Sequence, residues 1–164
     1  MRKILMPAIT VLCLAIVAGV SLAGGPSSTG VPYPEGYRSW KHVKSMLIEK
    51  GHPLENPFQG IHHIYANPKA EQGYRSGQFG NGSVLVFDLL ESKEGGSAVV
   101  EGPRKLIGVM VKDDRKFRDT GGWGFEGFAG NSSLKRLVQD GGVGCYQCHT
   151  AKQDRDFVFS NYRK

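Results

Sequence analysis

The chain has 164 residues, of which 21 are basic and 15 are acidic, so its formal net charge is +6 at pH 7. Three cysteines in the whole sequence are too few for a disulfide-dense secreted scaffold. The basic residues are scattered and form no stripe with interleaved aromatic residues, which argues against a nucleic-acid-binding protein.

The first 23 residues have the pattern of a secretory signal peptide. Arg2 and Lys3 form a positive start, residues 8–20 are mostly apolar, and Ala23 ends a small-residue cleavage site. The apolar run is shorter than the ~20 residues that a membrane-spanning helix needs, which disfavours the alternative of a membrane anchor. We therefore expect cleavage after Ala23, a periplasmic location and no membrane attachment afterwards. Cys13 would leave with the signal peptide.

The rest of the chain is predicted to form one domain. Residues 24–32 are rich in glycine and serine and are expected to be a flexible leader. Residues 33–164 are long enough to bury a single hydrophobic core.

A helix is predicted over about residues 36–50. Its apolar residues recur at helical spacing: Trp40, Val43, Met46 and Leu47. A strand is predicted at 60–66, followed by a short helix that begins after the Asn67-Pro68 cap signal and ends at Gly77.

Further strands are predicted at 83–91, 97–101, 104–111 and 121–130, with a charged turn or short helix at 113–119 before the last of them. Because turns rather than helical crossovers connect them, the sheet should be antiparallel. The predicted fold is therefore α+β, mainly an antiparallel β-sheet with a few short helices and a functional helical turn near the C-terminus.

Residues 145–149 read Cys-Tyr-Gln-Cys-His. Cys-x-x-Cys-His is the attachment pattern of a c-type haem, in which two thiols bond to the porphyrin and the histidine reaches the iron. We predict that Cys145 and Cys148 hold one covalent haem c and that His149 is the proximal iron ligand. The alternatives are a thioredoxin-like dithiol, which needs a βαβ context, and a zinc site, which needs two more ligands.

The sixth iron position separates an electron carrier from a haem that binds small ligands. Besides several lysines, six side chains are candidates for this position: His42, Met46, His52, His62, His63 and Met110. The two methionines are explained equally well by core packing. His62 and His63 are neighbours in a predicted strand and should point to opposite faces of the sheet.

Other side chains near the motif have both a functional and an ordinary interpretation. Three aromatic residues suit either a haem wall or a plain core: Trp123, Phe125 and Phe128. Glu126 either passes protons beside a haem or is a surface or dimer-contact residue. Tyr74 and Arg75 either hold a haem propionate or a bound oxyanion, or lie on the surface.

Six segments together carry a family resemblance. They are Pro-x-Gly-Tyr-x-x-Trp at 34–40, Gly-Gln-Phe-Gly-Asn-Gly-Ser at 77–83, Val-Lys-Asp at 111–113, Gly-Trp-Gly-Phe at 122–125, Cys-x-x-Cys-His at 145–149 and Asp-Phe-Val-Phe-x-x-Tyr at 156–162. Their order and content resemble the cytochrome P-460 / cytochrome c′-beta family over nearly all of residues 33–164. The resemblance implies a mainly antiparallel β fold, a homodimer, and a five-coordinate haem with His149 as its proximal ligand.

The family that the chain resembles has two branches. The P-460 type oxidises hydroxylamine and carries a lysine cross-linked to the porphyrin, whereas the c′-beta type lacks that link, has an aromatic distal cap and binds nitric oxide. Where the resemblance places the lysine, residues 74–76 read Tyr-Arg-Ser, and the nearest lysine is Lys69. Candidate cap residues are Phe79, Phe87, Phe125 and Phe128.

Together these features predict an exported monohaem c-type cytochrome that binds or redox-converts nitric oxide or hydroxylamine. One alternative is a six-coordinate electron-transfer cytochrome c without turnover, and another is a haem-based gas sensor or scavenger. The basic charge also fits a redox partner protein with an acidic surface.

Overall fold

The computed structural model describes residues 29–162. A single antiparallel sheet has the strand order β1-β2-β3-β4-β5. The strands are β1 Lys41–Ile48, β2 Gly60–Ala66, β3 Val84–Gly95, β4 Ala98–Lys112 and β5 Trp123–Ala129. The helices are α1 Glu55–Phe58, α2 Pro68–Ser76 and α3 Val143–His149, with short 3-10 turns at Tyr37–Ser39, Arg118–Thr120 and Thr150–Arg155. The predicted fold class is confirmed.

The predicted helix over residues 36–50 is wrong. This segment forms a 3-10 turn and then β1, which pairs with β2 through a bulge between His42 and Lys44. In β1 only Val43 and Ile48 are buried, so the strand lacks the alternating pattern of a half-buried strand. Because β1 lies at the edge of the sheet, its backbone pairing with β2 outweighs the accidental helical spacing of its apolar residues.

The predicted short helix after β2 is confirmed as α2. The Asn67 side chain accepts hydrogen bonds from the amides of Ala70 (2.9 Å) and Val84 (3.0 Å), so it caps α2 and ties it to β3. Gly77 ends the helix in the left-handed conformation, with φ 82°.

The two strands predicted at 97–101 and 104–111 are one continuous strand, β4. It follows β3 through a two-residue turn in which Gly96 and Ser97 both have positive φ, as the primed hairpin turns require. A long β3–β4 hairpin results, and it forms the centre of the sheet.

The two faces of the sheet carry separate hydrophobic clusters. One face, here called the His149 face, presents Ala66, Leu85, Met110 and Phe125 on neighbouring strands. The other, here called the Tyr37 face, carries a cluster made of Val31, Tyr37, Val86, Ile107, Val109 and Phe128. Strands β2 to β5 contribute residues to both clusters, since neighbouring residues of a strand point to opposite faces.

Part of the predicted leader is in contact with the Tyr37 face. Val31 is fully buried there, and Thr29 donates a hydrogen bond to Glu126 at 2.8 Å. The predicted signal peptide and residues 24–28 lie outside the described residues, so they stay predictions. Between residues 29 and 162, no helix has the length and apolar character needed to cross a membrane.

Candidate functional site

The Cys-x-x-Cys-His sequence lies on α3, whose start is fixed by the preceding loop. Gly142 adopts a left-handed conformation with φ 93° just before the helix. The Asp140 carboxylate accepts hydrogen bonds from the amides of Gly142 (2.9 Å) and Gly144 (2.7 Å). These bonds lower the pKa of Asp140 and satisfy amides that the helix itself leaves unpaired.

Cys145 and Cys148 are three residues apart on α3, so their thiols lie on one side of the helix. Both are free cysteines; Cys145 is half-buried against the cluster of the His149 face, and Cys148 is exposed. Burial raises the pKa of the Cys145 thiol. The two thiols therefore lie side by side at the edge of an apolar surface.

His149 ends α3 and has a defined tautomer. Its Nδ1 lies 2.7 Å from the carbonyl oxygen of Phe157, and because a carbonyl only accepts, Nδ1 carries the proton. Burial lowers the pKa of His149, which favours the neutral ring. Nε2 then carries the free lone pair that an iron ligand needs.

Two aromatic rings hold the His149 imidazole. Phe125 of β5 lies 5.0 Å from it and Phe159 lies 5.1 Å from it, measured between ring centroids. Phe125 is buried and Phe159 is exposed.

The Phe157 carbonyl reaches His149 because the chain reverses after the 3-10 turn Thr150–Arg155. Asp156 and Phe157 both adopt left-handed backbone conformations, with φ 49° and 64°. Left-handed residues other than glycine are uncommon and need support from their surroundings. Here the support comes from Lys112 and Trp123, which both contact Asp156.

Sequence reasoning missed Lys112 and Asp156 as site residues. The available signals were a lysine at the end of an otherwise apolar strand and the aspartate that begins the segment 156–162. Nothing local in the sequence shows that these two residues meet, since they are far apart along the chain.

The surface beside α3 fits a flat apolar group. One cross-strand row of the His149 face contains Ile64, Phe87, Gly108 and Gly127. The nearest atoms to a Cβ added at Gly108 would be those of Phe87, at 3.4 Å or more, whereas at Gly127 they would be those of Leu137, at 3.2 Å, so the sheet is a shallow hollow at Gly108. Glycine in a strand interior often marks a place where a ligand approaches closely. Two thiols, a neutral histidine and an apolar hollow together fit a covalently held haem.

The candidates for a sixth ligand occupy different places. Met46 lies exposed on the edge strand, and Met110 packs against the cluster of the His149 face. His63 bonds to Ser45 and Glu101, and His52 accepts a hydrogen bond from the Leu54 amide. His42 also contacts Ser45, at 2.9 Å.

His62 differs from the other histidines because it is buried. Its ring stacks on Phe87 with centroids 4.5 Å apart, and its Nδ1 has no hydrogen-bond partner among residues 29–162. Residues 62 and 63 point to opposite sides of β2, as their order in a strand predicts.

The predicted aromatic group is divided between the two faces. Trp123 and Phe125 lie in the cluster of the His149 face, but Phe128 is buried on the Tyr37 face and does not form a wall with them. Glu126 is neither a surface residue nor a neighbour of His149. It points to the Tyr37 face and is buried in an ion pair with Arg136 at 2.7 Å.

The remaining predicted residues lie on α2. Tyr74 bonds to Ser160 at 2.5 Å, and burial raises its pKa to about 12. Arg75 is exposed and pairs with Glu71 one helical turn away. Lys69 donates to the carbonyl of Asn81 at 3.1 Å.

The α+β fold and this arrangement on α3 are those of a haem-binding cytochrome. The family model described as Cytochrome P460 matches residues 34–160, and the chain belongs to that family. Membership implies haem binding and suggests action on nitrogen compounds. A search of curated proteins finds no match.

Proposed function

We propose that the protein is a monohaem c-type cytochrome of the periplasm that binds nitric oxide or a similar small nitrogen ligand at an open haem iron. The observation that carries this proposal is the tautomer of His149, which frees Nε2 for the iron beside two adjacent thiols. When bound, the haem supplies the iron redox and ligand chemistry. The protein supplies attachment, orientation and a pocket.

Attachment uses the two thiols of α3. Cys145 and Cys148 would each hold the haem through one thioether link. The half-buried Cys145 and the exposed Cys148 lie along one side of the helix, so both could hold the same haem.

The aromatic residues favour the c′-beta branch. Of the four predicted cap residues, Phe79 packs on Trp123 in the core, Phe125 contacts His149, and Phe128 lies on the Tyr37 face. This leaves Phe87, which is half-buried in the hollow of the His149 face.

Phe58 of α1 supports the same assignment. Its ring meets that of Phe87 edge to face, with centroids 5.6 Å apart. The two rings would form an apolar cap that excludes water from the iron, which leaves the sixth position to small neutral ligands. The sequence analysis did not include Phe58.

The proposal is tested on the purified holoprotein by absorption spectra of the ferric and dithionite-reduced forms, with intact mass and a peptide map. We expect a high-spin ferrous spectrum and the added mass of one haem. The peptide map should show the haem bonded to one peptide only, the one that contains Cys145 and Cys148. The matched control is the double variant Cys145→Ser/Cys148→Ser, which should lose the covalent haem.

Two results would overturn the proposal. Sharp low-spin bands that become high-spin in His62→Ala or Met110→Ala would establish a six-coordinate electron carrier. A red-shifted ferrous Soret band, with the haem peptide joined to a lysine peptide, would establish the hydroxylamine-oxidising branch. We also propose a homodimer and a redox partner protein, which the sedimentation of the holoprotein and co-purification from the periplasm would check.

A further inference from the structure

We propose that Lys112 and Asp156 are positioning residues that set the strength of the hydrogen bond from His149 to the Phe157 carbonyl. This inference rests on the proposed role of His149 as an iron ligand. Neither residue contacts the imidazole; both act through the backbone turn that presents the carbonyl.

The Asp156 side chain joins three separate parts of the fold. Its Oδ1 accepts a hydrogen bond from the ammonium of Lys112 at 2.8 Å, and its Oδ2 accepts one from the Phe79 amide at 3.0 Å. The backbone carbonyl of Asp156 accepts a hydrogen bond from the Trp123 indole at 2.9 Å. The turn is therefore fixed to the ends of β4 and β5 and to the loop after α2.

This anchoring is needed because the turn is strained. Two consecutive non-glycine residues, Asp156 and Phe157, have left-handed φ values. A Cβ added at Gly121 would lie 2.6 Å from the Phe157 ring, so the ring is closely packed against the start of β5. The direction of the Phe157 carbonyl therefore depends on where this ring and the Asp156 peptide are held.

Lys112 is an unusual residue for a buried position. Its side chain is 8% exposed, and its ammonium also bonds to the Gly121 carbonyl at 3.1 Å and lies 5.3 Å from the centre of the Trp123 ring. Lysine is rarely buried unless it is paired, and a buried ion pair stabilises a fold no better than apolar packing does. What the pair adds here is a fixed geometry at Asp156.

The hydrogen bond in question controls how strongly His149 donates electrons. A shorter Nδ1–H···O bond makes the imidazole more basic at Nε2, which strengthens the iron bond and favours the ferric state. Loosening the Asp156 turn would lengthen that bond. The iron–histidine bond would then weaken and the reduction potential would rise.

Three variants of the holoprotein test this inference: Lys112→Met, Asp156→Asn and the double variant. Asparagine keeps the size of aspartate and tolerates left-handed backbone, so Asp156→Asn should fold even if Lys112→Met does not. The matched control is Lys116→Met. Lys116 also bonds to a carbonyl, that of Gly30, and lies over the Phe117 ring, but it packs near the Tyr37 face.

Three readouts are compared with the wild type: the reduction potential, the iron–histidine stretching frequency, and the NMR signal of the His149 Nδ1 proton. We expect both single variants to raise the potential, to lower the frequency and to weaken the hydrogen bond. The double variant should resemble the single variants, and Lys116→Met should resemble the wild type.

A purely Coulombic role gives a different pattern. Removing a positive charge lowers the potential and removing a negative charge raises it, so opposite shifts in Lys112→Met and Asp156→Asn with an unchanged Nδ1 proton signal would overturn the inference. The Nδ1 proton signal reports on the bond whether the wild-type haem is five- or six-coordinate. A low-spin wild type would therefore contradict the proposed open site without deciding the role of Lys112 and Asp156.

Discussion

Desolvation lowers the pKa of two histidines of this protein, the buried His62 and the half-buried His149, but their surroundings differ. His149 has a fixed partner in the Phe157 carbonyl, and its proton lies on Nδ1. His62 is buried against Phe87 and has no partner for Nδ1 among the described residues. Burial is the largest cause that lowers the pKa of His62 from 6.5 to about 4, followed by repulsion from His63 and Lys44.

The lowered pKa of His62 predicts acid sensitivity of the folded state. Between pH 6.5 and about 4 the unfolded chain binds a proton at His62 and the folded chain does not, so stability falls as the pH falls through this range. His62→Leu should remove this component and leave stability above pH 7 unchanged or raised. Thermal unfolding of the holoprotein at several pH values measures it.

The control for this prediction is His52→Leu, because His52 is exposed on the loop before α1. It should follow the wild-type pH profile. An identical profile for wild type and His62→Leu would show that His62 is not desolvated in the folded protein.

At the scale of elements, a buried ion pair joins the central hairpin to the N-terminal 3-10 turn. Asp88 of β3 is fully buried, accepts a hydrogen bond from Arg104 of β4 at 2.6 Å, and accepts another from the Tyr37 hydroxyl at 2.7 Å. Burial and the Asp88 carboxylate raise the pKa of Tyr37. The buried carboxylate of Asp88 keeps both of these hydrogen bonds only when Tyr37 and Arg104 are both present.

We predict that breaking this network is far more costly than replacing it. Asp88→Leu leaves the Arg104 charge without its partner and should cost about 3–5 kcal/mol of stability, as should Arg104→Met for the Asp88 charge. The double variant Asp88→Leu/Arg104→Met should cost much less. Urea unfolding of the four proteins in the cycle measures the coupling; additive costs would mean that the pair is not coupled.

Most elements of the fold could be predicted from the sequence, because their signals are local. Asn67 and Gly77 delimit α2, and Gly96 marks the hairpin turn, since each acts on backbone within a few residues of itself. The edge strand β1 could not be predicted, because only Val43 and Ile48 are buried and a bulge interrupts its pairing. The identity of an exposed edge strand depends on a partner that is distant in sequence.

At the scale of the whole molecule, the candidate site combines one local motif with distant residues. The motif on α3 could be predicted because its chemistry requires fixed residues at fixed spacing. The Phe58–Phe87 contact and the Lys112–Asp156 pair could not, since they form only when the sheet brings β3, β4 and the C-terminal segment together.

Because the two hydrophobic clusters lie on opposite faces of the sheet, a cavity can be made on either face. Both cavities should lower stability, but only one should change the haem environment. Leu85 lies in the cluster of the His149 face together with Phe125, whereas Ile107 is buried in the cluster of the Tyr37 face. Leu85→Ala and Ile107→Ala both remove buried methyl groups from the same sheet. Each should cost about 2–5 kcal/mol of stability because the surrounding side chains fill the cavity only in part.

The haem environment should respond to only one of these two changes. Leu85→Ala loosens the cluster that includes Phe125, which contacts His149, so the Nδ1 proton signal of His149 and the ferrous spectrum should shift. Ile107→Ala should leave both unchanged at temperatures where the protein is folded, since the sheet backbone lies between its cavity and the haem. Equal spectral shifts in the two variants would show that the sheet transmits strain from one face to the other.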